Sequence, residues 1–184
     1  MAKLISGTYG EALFELAKES DKLVLLGEQI ADVKEIFSEN EDLLKLLNHP
    51  KISKEEKIQV IENVFKGRFE DEVVGFLVII VEKGRYNEID AILSYFLDKV
   101  KEDQKIGVAN VVSAIELSKE QKAKLEAKLL SQTDYVKFEM RYEVDAALIG
   151  GMIIRIGDRV VDASVKSKLD KMARDMAKIQ LGNA

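Results

Sequence analysis

The residues with the clearest potential for chemistry lie in a glycine-punctuated segment near the end of the chain. From Gly150 to Asp162 the sequence reads GGMIIRIGDRVVD, with β-branched residues between the glycines. Closely spaced glycines occur in loops that bind phosphate through backbone amides, but such loops also need Lys and then Ser or Thr directly after the last glycine. Here Asp158 follows Gly157. The segment is therefore not predicted to bind a nucleotide.

Three acidic side chains in and before this segment could instead bind a metal ion. Asp145, Asp158 and Asp162 are spaced over eighteen residues, and carboxylates are preferred ligands of hard cations. A cation held by them could assist phosphate hydrolysis. A turn and a helix cap explain Asp158 and Asp162 more economically. A metal-assisted phosphohydrolase is thus the less favoured alternative, and no metal or cofactor is predicted.

The rest of the chain is poor in catalytic side chains. The one histidine, His49, precedes the one proline, Pro50, and this pair indicates the end of a short helical segment rather than a general base. The chain has no cysteine, so disulfides, thiolate nucleophiles and sulfur-ligated metals are excluded. We therefore expect a protein that is not an enzyme and has no small-molecule substrate.

Composition indicates a folded chain that does not insert into a membrane. Hydrophobic residues make up 47% and charged residues 33% of the 184 residues, and no apolar stretch reaches the roughly 20 residues that a membrane-spanning helix requires. The start of the chain lacks the apolar core of a signal peptide, so we expect it to stay where it is made. The formal net charge of −5 divides into −8 for residues 1–104 and +3 for residues 105–184. An acidic chain of this kind is not expected to bind nucleic acid.

The first hundred residues show the apolar spacing of helices. Ser53 and Glu56 form a capping box that predicts a helix start. The apolar run from Val73 to Val81 fits either a buried helix or a strand, and acids before it and Lys83-Gly84 after it favour a helix. Six segments are predicted, with apolar positions that include Ile5, Tyr9, Leu13, Leu16; Leu23, Leu26, Ile30; Leu43, Leu47; Ile58, Ile61, Phe65; Phe76, Ile80; Ile92, Phe96.

The last eighty residues change to a two-residue period. Residues 135–144 alternate apolar and charged side chains, which predicts a strand with one face on a core and one face in water. A second capping box, Ser118 with Gln121, predicts a helix before it. Met152–Ile156 and Arg159–Val161 are predicted to pair as a hairpin through Gly157-Asp158.

A final helix completes this second region. Asp162 or Ser164 is predicted to cap it, and its apolar positions are Val165, Leu169, Met172, Met176 and Ile179. The predicted fold class is α+β, mostly α, with an N-terminal six-helix bundle over residues 1–104 and a small β-α-β-β-α domain over residues 105–184. Such an architecture suits an adaptor as readily as an enzyme.

Three segments of the chain resemble those of a known protein family. Tyr9-Gly10-Glu11-Ala12-Leu13-Phe14 and Glu82-Lys83-Gly84-Arg85 are similar to family segments near the first and fifth helices. The family is the delta subunit of F-type ATP synthases, called the oligomycin-sensitivity-conferring protein in mitochondria. Its C-terminal signature is matched by Asp145, Leu148, Gly150, Gly151, Ile154, Arg155, Gly157, Asp158, Val160, Asp162, Ser164 and Leu169.

The resemblance implies a structural role without a cofactor. In such proteins the N-terminal domain binds the amphipathic N-terminal helix of an alpha subunit of the catalytic head, in a groove between the first and fifth helices. The beta subunits are further candidate partners. The C-terminal domain receives the end of the subunit b stalk. The resemblance thus implies a peripheral stalk (stator) component at the cytoplasmic face of the cell membrane. A two-domain adaptor outside the synthase is the other alternative.

The resemblance places candidate partner-binding residues on three helices. For the alpha-subunit helix they are Tyr9, Ala12, Leu13, Leu16, Phe76, Ile79 and Ile80. The plainer interpretation is that most of these side chains belong to the core. Cations of the last helix are candidates for subunit b, although they would equally suit a solvated face: Lys166, Lys168, Lys171 and Arg174. Gly150 and Gly151 are expected to permit a bend or a close backbone approach rather than to contact a partner.

Overall fold

The chain is mostly helical, with one small sheet near its C-terminal end. The computed structural model describes the backbone of residues 2–181 and the side chains of residues 5–174. It divides into two compact units, Met1–Asp103 and Gln104–Ala184. In the part of the chain that is described, no helix is long and apolar enough to span a membrane.

The first unit consists of helices joined by short turns. The run from Val73 to Val81 is helical, as the flanking acids and glycine predicted. A short 3-10 turn, Tyr86–Glu88, lies between the last two helices. The helices are α1 (Ala2–Glu19), α2 (Leu23–Glu39), α3 (Glu41–Asn48), α4 (Lys54–Phe65), α5 (Asp71–Glu82) and α6 (Ile89–Asp103).

Close packing around α6 holds this unit together. Helices α1 and α2 both pack on α6, and each presents a glycine to it. A Cβ atom on Gly10 would lie 2.5 Å from Cδ1 of Tyr95, and a Cβ on Gly27 would lie 3.3 Å from Cγ1 of Val100. The missing side chains therefore let both helices approach α6 closely. Phe65, Leu77 and Phe96 are among the residues buried in this core.

Both predicted capping boxes are confirmed. The Ser53 side chain accepts a hydrogen bond from the backbone N–H of Glu56, and Glu56 accepts one from the backbone N–H of Ser53. These bonds to Ser53, the backbone bond first, lower the pKa of Glu56. Ser118 and Gln121 form the same pair of bonds at the start of a helix in the second unit. Each box satisfies two amides that the helix itself leaves unpaired.

The second unit is a four-stranded mixed sheet with two helices. The strands lie in the order β2-β1-β3-β4. Strands β1 and β2 are parallel, and the β1–β3 and β3–β4 pairs are antiparallel. The elements are β1 (Ile106–Ser113), α7 (Lys119–Gln132), β2 (Lys137–Val144), β3 (Met152–Ile156), β4 (Arg159–Asp162) and α8 (Val165–Leu181).

The predicted burial of β2 and the residue before it is wrong at both ends. Phe138 is buried, but Val136 is 73% exposed and Val144 is 54% exposed. The buried cluster of this unit centres on Phe138, Ala109 and Leu129. Helix α7 thus covers the middle of the sheet face, and the apolar residues at its ends remain in contact with solvent.

Candidate functional site

Helices α1 and α5, which carry the candidate residues for the alpha-subunit helix, each pack mainly on a different helix. Helix α1 packs principally on α6, and α5 packs principally on α4. The turn after α1 reaches the start of α5, where Lys22 Nζ lies 2.7 Å from a Glu70 carboxylate oxygen and 2.8 Å from one of Glu72. The 3-10 turn after α5 contacts α1. The segments at the two ends of α5 are therefore linked to α1 or to the turn that follows it.

The ion pairs at this junction shift the pKa values of two of their members. Donation by Lys22 to Glu70, and then to Glu72, holds the pKa of Lys22 above its ordinary value. The same contact lowers the pKa of Glu72. The backbone N–H of Glu70 also donates to Oε1 of Gln29 at 2.9 Å. The start of α5 is thus anchored to α2 as well.

The structure separates the α1 candidates into accessible and buried residues. Leu13 is 1% exposed and belongs to the core, whereas Leu16 is 42% exposed. Ala12 is exposed and Tyr9 is half-buried. Ala12 and Leu16 are four residues apart, so they lie one above the other on the same helix face. This face of α1 can meet a partner, whereas Leu13 holds the fold.

The α5 candidates divide in the same way. Ile80 is fully buried and Phe76 is 8% exposed, whereas Ile79 is 46% exposed. Gly75, which sequence analysis did not single out, lies four residues before Ile79, is exposed, and has open space where a Cβ would be. The accessible face of α5 therefore combines a small residue with a large apolar one. We define the α1–α5 surface as Ala12, Leu16, Gly75 and Ile79.

Two further exposed apolar residues lie at the start of α2 and were not predicted from the sequence. Val24 is 60% exposed and Leu25 is 41% exposed in the first turn of α2. They line a shallow cavity of about 370 Å³ together with Asp21 and Lys22 of the turn before α2 and Leu23 and Glu28 of α2. The signal was the uninterrupted run Leu23-Val24-Leu25-Leu26, because four consecutive residues of a helix cannot all face one core.

The glycines of the C-terminal signature shape the backbone. Gly151 has φ +77° and a Cβ there would lie 2.3 Å from the carbonyl oxygen of Ala163. The Gly150 carbonyl accepts a hydrogen bond of 2.9 Å from the amide of Val165, at the start of α8. Gly157 has φ +54° in the β3–β4 turn. These positions allow a close crossing of two chain segments and a tight hairpin.

The three candidate acids are not gathered together, and two of them accept hydrogen bonds from the backbone. Asp145 accepts a 2.9 Å hydrogen bond from the amide of Ala147 and begins a short 3-10 turn. It lies where β1 ends, because its amide donates to the Ser113 carbonyl. Asp158 is in the hairpin at the opposite end of the sheet. Within the residues that the structure describes, no three His, Asp or Glu side chains could hold a metal ion.

Asp162 and Ser164 together begin the last helix. Asp162 accepts hydrogen bonds of 2.8 Å from the amide of Ser164 and 2.6 Å from the hydroxyl of Ser167. The bond from the Ser167 hydroxyl, followed by that from Ser164, lowers the pKa of Asp162. Ser164 is 1% exposed and accepts from the amide of Ser167. Arg155, another signature residue, is exposed on β3 opposite Asn110 and Val160.

The candidate cations of α8 are all exposed. None of them forms an ion pair with another residue whose side chain is described. The apolar positions between them are exposed as well, at 38% for Val165, 50% for Leu169 and 56% for Met172. The side chains of Met176 and Ile179 lie outside the described residues. The four exposed cations are Lys166, Lys168, Lys171 and Arg174.

Comparisons with known proteins place these features in a family context. The family "ATP synthase delta (OSCP) subunit" matches residues 5–176. The ATP synthase subunit delta of Lachnoclostridium phytofermentans is 59% identical over 182 residues, which cover 99% of this chain and 100% of that protein. The subunit delta of Alkaliphilus oremlandii is 34% identical over 179 residues, which cover 97% of this chain and 99% of that one.

A solved structure supports the fold. A chain in the cryo-EM structure of the Toxoplasma gondii mitochondrial ATP synthase hexamer superposes with a TM-score of 0.76 at 19% identity, covering 94% of this chain and 97% of that chain. A delta subunit is a structural and not a catalytic part of ATP synthase, which agrees with the backbone roles of the candidate acids. Given the family match and the near-complete alignment with its members, the chain belongs to the ATP synthase delta (OSCP) subunit family.

Proposed function

We propose that this chain is a stator connector of an F-type ATP synthase at the cytoplasmic face of the cell membrane. Its first unit binds alpha subunits of the catalytic head, with beta subunits as neighbours, and its second unit binds the subunit b stalk. The observation that carries the proposal is that each unit has its own exposed apolar surface, the α1–α5 surface in the first and the α8 stripe in the second. A connector needs two such surfaces, and an enzyme does not.

The α1–α5 surface fits an amphipathic partner helix. Two small positions, Ala12 and Gly75, each lie one helical turn from a large exposed side chain, Leu16 and Ile79 respectively. Small residues beside large ones form a trough, and apolar side chains of a partner helix at i and i+4 would fill it. All four residues are exposed to solvent, so a partner helix can reach them.

Apolar contacts also suit a joint that bears torque. Exposed ion pairs contribute little and are screened by salt, whereas burial of apolar surface contributes about 25 cal/mol per Å². Several such contacts in series resist a sustained pull better than a single charged pair. The Lys22 ion pairs then serve to position α5, and the exposed apolar residues serve to bind.

A titration with a peptide copying the N-terminal segment of the alpha subunit tests the head-binding site. We expect Ala12→Asp and Ile79→Asp to weaken binding at least tenfold, which corresponds to about 1.4 kcal/mol. Ala91→Asp changes another exposed alanine, on α6, and should bind as the wild type does. Equal affinity of Ala12→Asp and Ala91→Asp would remove the α1–α5 surface from the proposal.

A reconstitution experiment tests the connecting role. Membranes stripped of their catalytic heads and of this subunit are mixed with purified heads, with and without the chain. We expect attachment of heads, and ATP synthesis driven by a proton gradient, only when the chain is added. Equal attachment without the chain would refute the connector function.

A further inference from the structure

A lysine occupies a core position of α4. Lys57, Ile61 and Phe65 follow one another at intervals of four residues, on one face of the helix, and all three are buried. Lys57 is only 5% exposed, although lysine is among the residues that are least often found inside a folded chain. Its side chain forms no ion pair with any residue that the structure describes. Lys57 is therefore a buried cation that no carboxylate of the described chain pairs with.

The ammonium group of Lys57 lies over an aromatic ring instead. Its Nζ atom is 4.7 Å from the centroid of the Tyr86 ring. An ammonium group within about 6 Å of a ring centroid is attracted by the negative face of the ring, and the attraction is stronger where water is excluded. The burial of Lys57 excludes most of the water around its side chain. The Tyr86 ring therefore offsets part of the cost of burying this charge.

Backbone hydrogen bonds join Tyr86 closely to the end of α5. The amide of Gly84 donates to the Val81 carbonyl at 3.0 Å, and the amide of Arg85 donates to the Ile80 carbonyl at 2.9 Å. Both carbonyls belong to the last turn of the helix, which cannot pair them within itself. Tyr86 directly follows this bonded turn and begins the 3-10 turn. Its position is thus coupled to the position of the last residues of α5.

The 3-10 turn connects the end of α5 to the rest of the first unit. It contacts α1, α3 and α6, whereas α5 itself packs mainly on α4. The position of the end of α5 relative to α1 therefore depends in part on this turn. Ile79 of the α1–α5 surface precedes Ile80 directly, and its carbonyl accepts from the amide of Lys83 in the same helix end. A contact that holds Tyr86 consequently also holds Ile79.

We propose that Lys57 is a positioning residue for binding of the catalytic head. Through the Tyr86 ring it holds the end of α5, and with it Ile79, in a set position relative to α1. The inference rests on the proposed head-binding function and assigns a role to a residue that does not touch the partner. Replacement of a buried charge by an apolar residue of similar volume is often neutral or stabilising. The cation therefore serves the geometry of the α1–α5 surface and not the stability of the core.

The test measures peptide binding and thermal unfolding on the full chain with one set of variants. Lys57→Leu should bind the alpha-subunit peptide about fivefold more weakly, and it should melt at the same temperature as the wild type or higher. Lys57→Arg keeps a cation that stacks on aromatic rings and should restore binding. Lys54→Leu is the matched control, because it removes the charge of an exposed lysine on the same helix, and it should bind as the wild type does.

Changes at Tyr86 test whether Lys57 acts through the aromatic ring. Tyr86→Phe keeps the ring and should bind the peptide as the wild type does, whereas Tyr86→Leu should weaken binding by as much as Lys57→Leu. Adding Lys57→Leu to Tyr86→Leu should cause no further loss, because both changes remove the same contact. Independent losses that add in the double variant would contradict the proposed route.

Spin labels report the arrangement of α1 and α5 without a partner. The chain has no cysteine, so Glu15→Cys on α1 and Glu82→Cys on α5, both at exposed positions, can be labelled without removing native thiols. The distances between the labels, measured by double electron–electron resonance, should shift or spread in Lys57→Leu and return to the wild-type distribution in Lys57→Arg.

The outcomes separate the positioning role from the head-binding function. If the wild type binds the peptide and Lys57→Leu binds it equally well, or if the label distances in Lys57→Leu are unchanged, the positioning role is overturned and the head-binding function stands. A lower melting temperature of Lys57→Leu with unchanged label distances would show that Lys57 serves the core alone. If the wild type itself fails to bind the peptide, the head-binding function is overturned together with the role of Lys57.

Discussion

Replacement of Gly10 by alanine tests whether the close approach of α1 to α6 sets the architecture of the first unit. The new Cβ would lie 2.5 Å from Cδ1 of Tyr95 and 3.3 Å from both the Ile92 carbonyl oxygen and the Phe96 amide nitrogen. The aromatic carbon is close to the backbone of Tyr95 and cannot swing away freely. Two of the three contacts are with backbone atoms. The helices must therefore move apart or Tyr95 must leave its position.

Three terms set the size of the effect. Forcing extra volume into a packed interface costs about 1–3 kcal/mol. Displacing Tyr95 also breaks the 2.9 Å hydrogen bond from its hydroxyl to Glu11, which costs about 1 kcal/mol more. Alanine recovers about 1 kcal/mol of helix propensity over glycine. The sum is a loss of about 1–3 kcal/mol in the free energy of unfolding.

Thermal unfolding followed by circular dichroism at 222 nm measures this loss, because most helical residues lie in the first unit. A loss of 1 kcal/mol lowers the melting temperature of a unit of this size by about 4–8 °C. Gly75→Ala is the matched control, since Gly75 is also helical but nothing lies within 4 Å of its added Cβ. That variant should be up to about 1 kcal/mol more stable than the wild type.

A double-mutant cycle identifies the cause. If the Tyr95 ring is the obstacle, Gly10→Ala should cost less in a Tyr95→Ala background than in the wild type, with a coupling of at least about 0.5 kcal/mol. An increase in stability for Gly10→Ala similar to that for Gly75→Ala would refute the reasoning, because it would mean that α1 tolerates a side chain at its crossing with α6.

Three further changes test the local interactions. Because the pKa of Glu56 is lowered in the folded chain, its carboxylate stabilises the fold above its ordinary pKa of 4.5, and this stabilisation is lost as the pH falls through the folded pKa. Glu56→Gln should therefore make the melting temperature depend less on pH in this acidic range, and Gln121→Glu should make it depend more on pH. Equal dependence on pH in the wild type and both variants would contradict the argument. Gly151→Ala should destabilise the second unit by more than about 2 kcal/mol, because it adds a backbone clash to an unfavourable φ, whereas Gly157→Ala should cost about 1 kcal/mol; equal losses in urea unfolding would argue against the clash. Lys22→Met should lower the melting temperature less in 1 M salt than in dilute buffer, and a loss independent of salt would show that the ion pairs do not hold α5.

Local signals in the sequence predicted a large part of the fold and some of the candidate site. Both capping boxes, the helical α5 and the β3–β4 hairpin are found where their residue patterns placed them. The turn position of Asp158 and the capping role of Asp162 were also foreseen, whereas the role of Asp145 at the 3-10 turn was not. The exposure of Val24 and Ile149 was not predicted, because exposure depends on whether other segments of the chain pack over a residue, and no described segment covers these two.

The chain's apolar periods, caps and turn residues act over a few neighbouring residues, so the sequence by itself determined where the helices and strands lie and to which family the chain belongs. Only the tertiary structure decided which apolar residues remain accessible. Leu13 and Leu16 are three residues apart on α1, and Ile79 and Ile80 are adjacent on α5, yet one of each pair is buried and the other is exposed. An apolar stripe is wider than the face that one neighbouring helix covers, and the part left open depends on how closely that helix approaches. On α1 that distance is set by Gly10, through its contact with a residue more than eighty positions away.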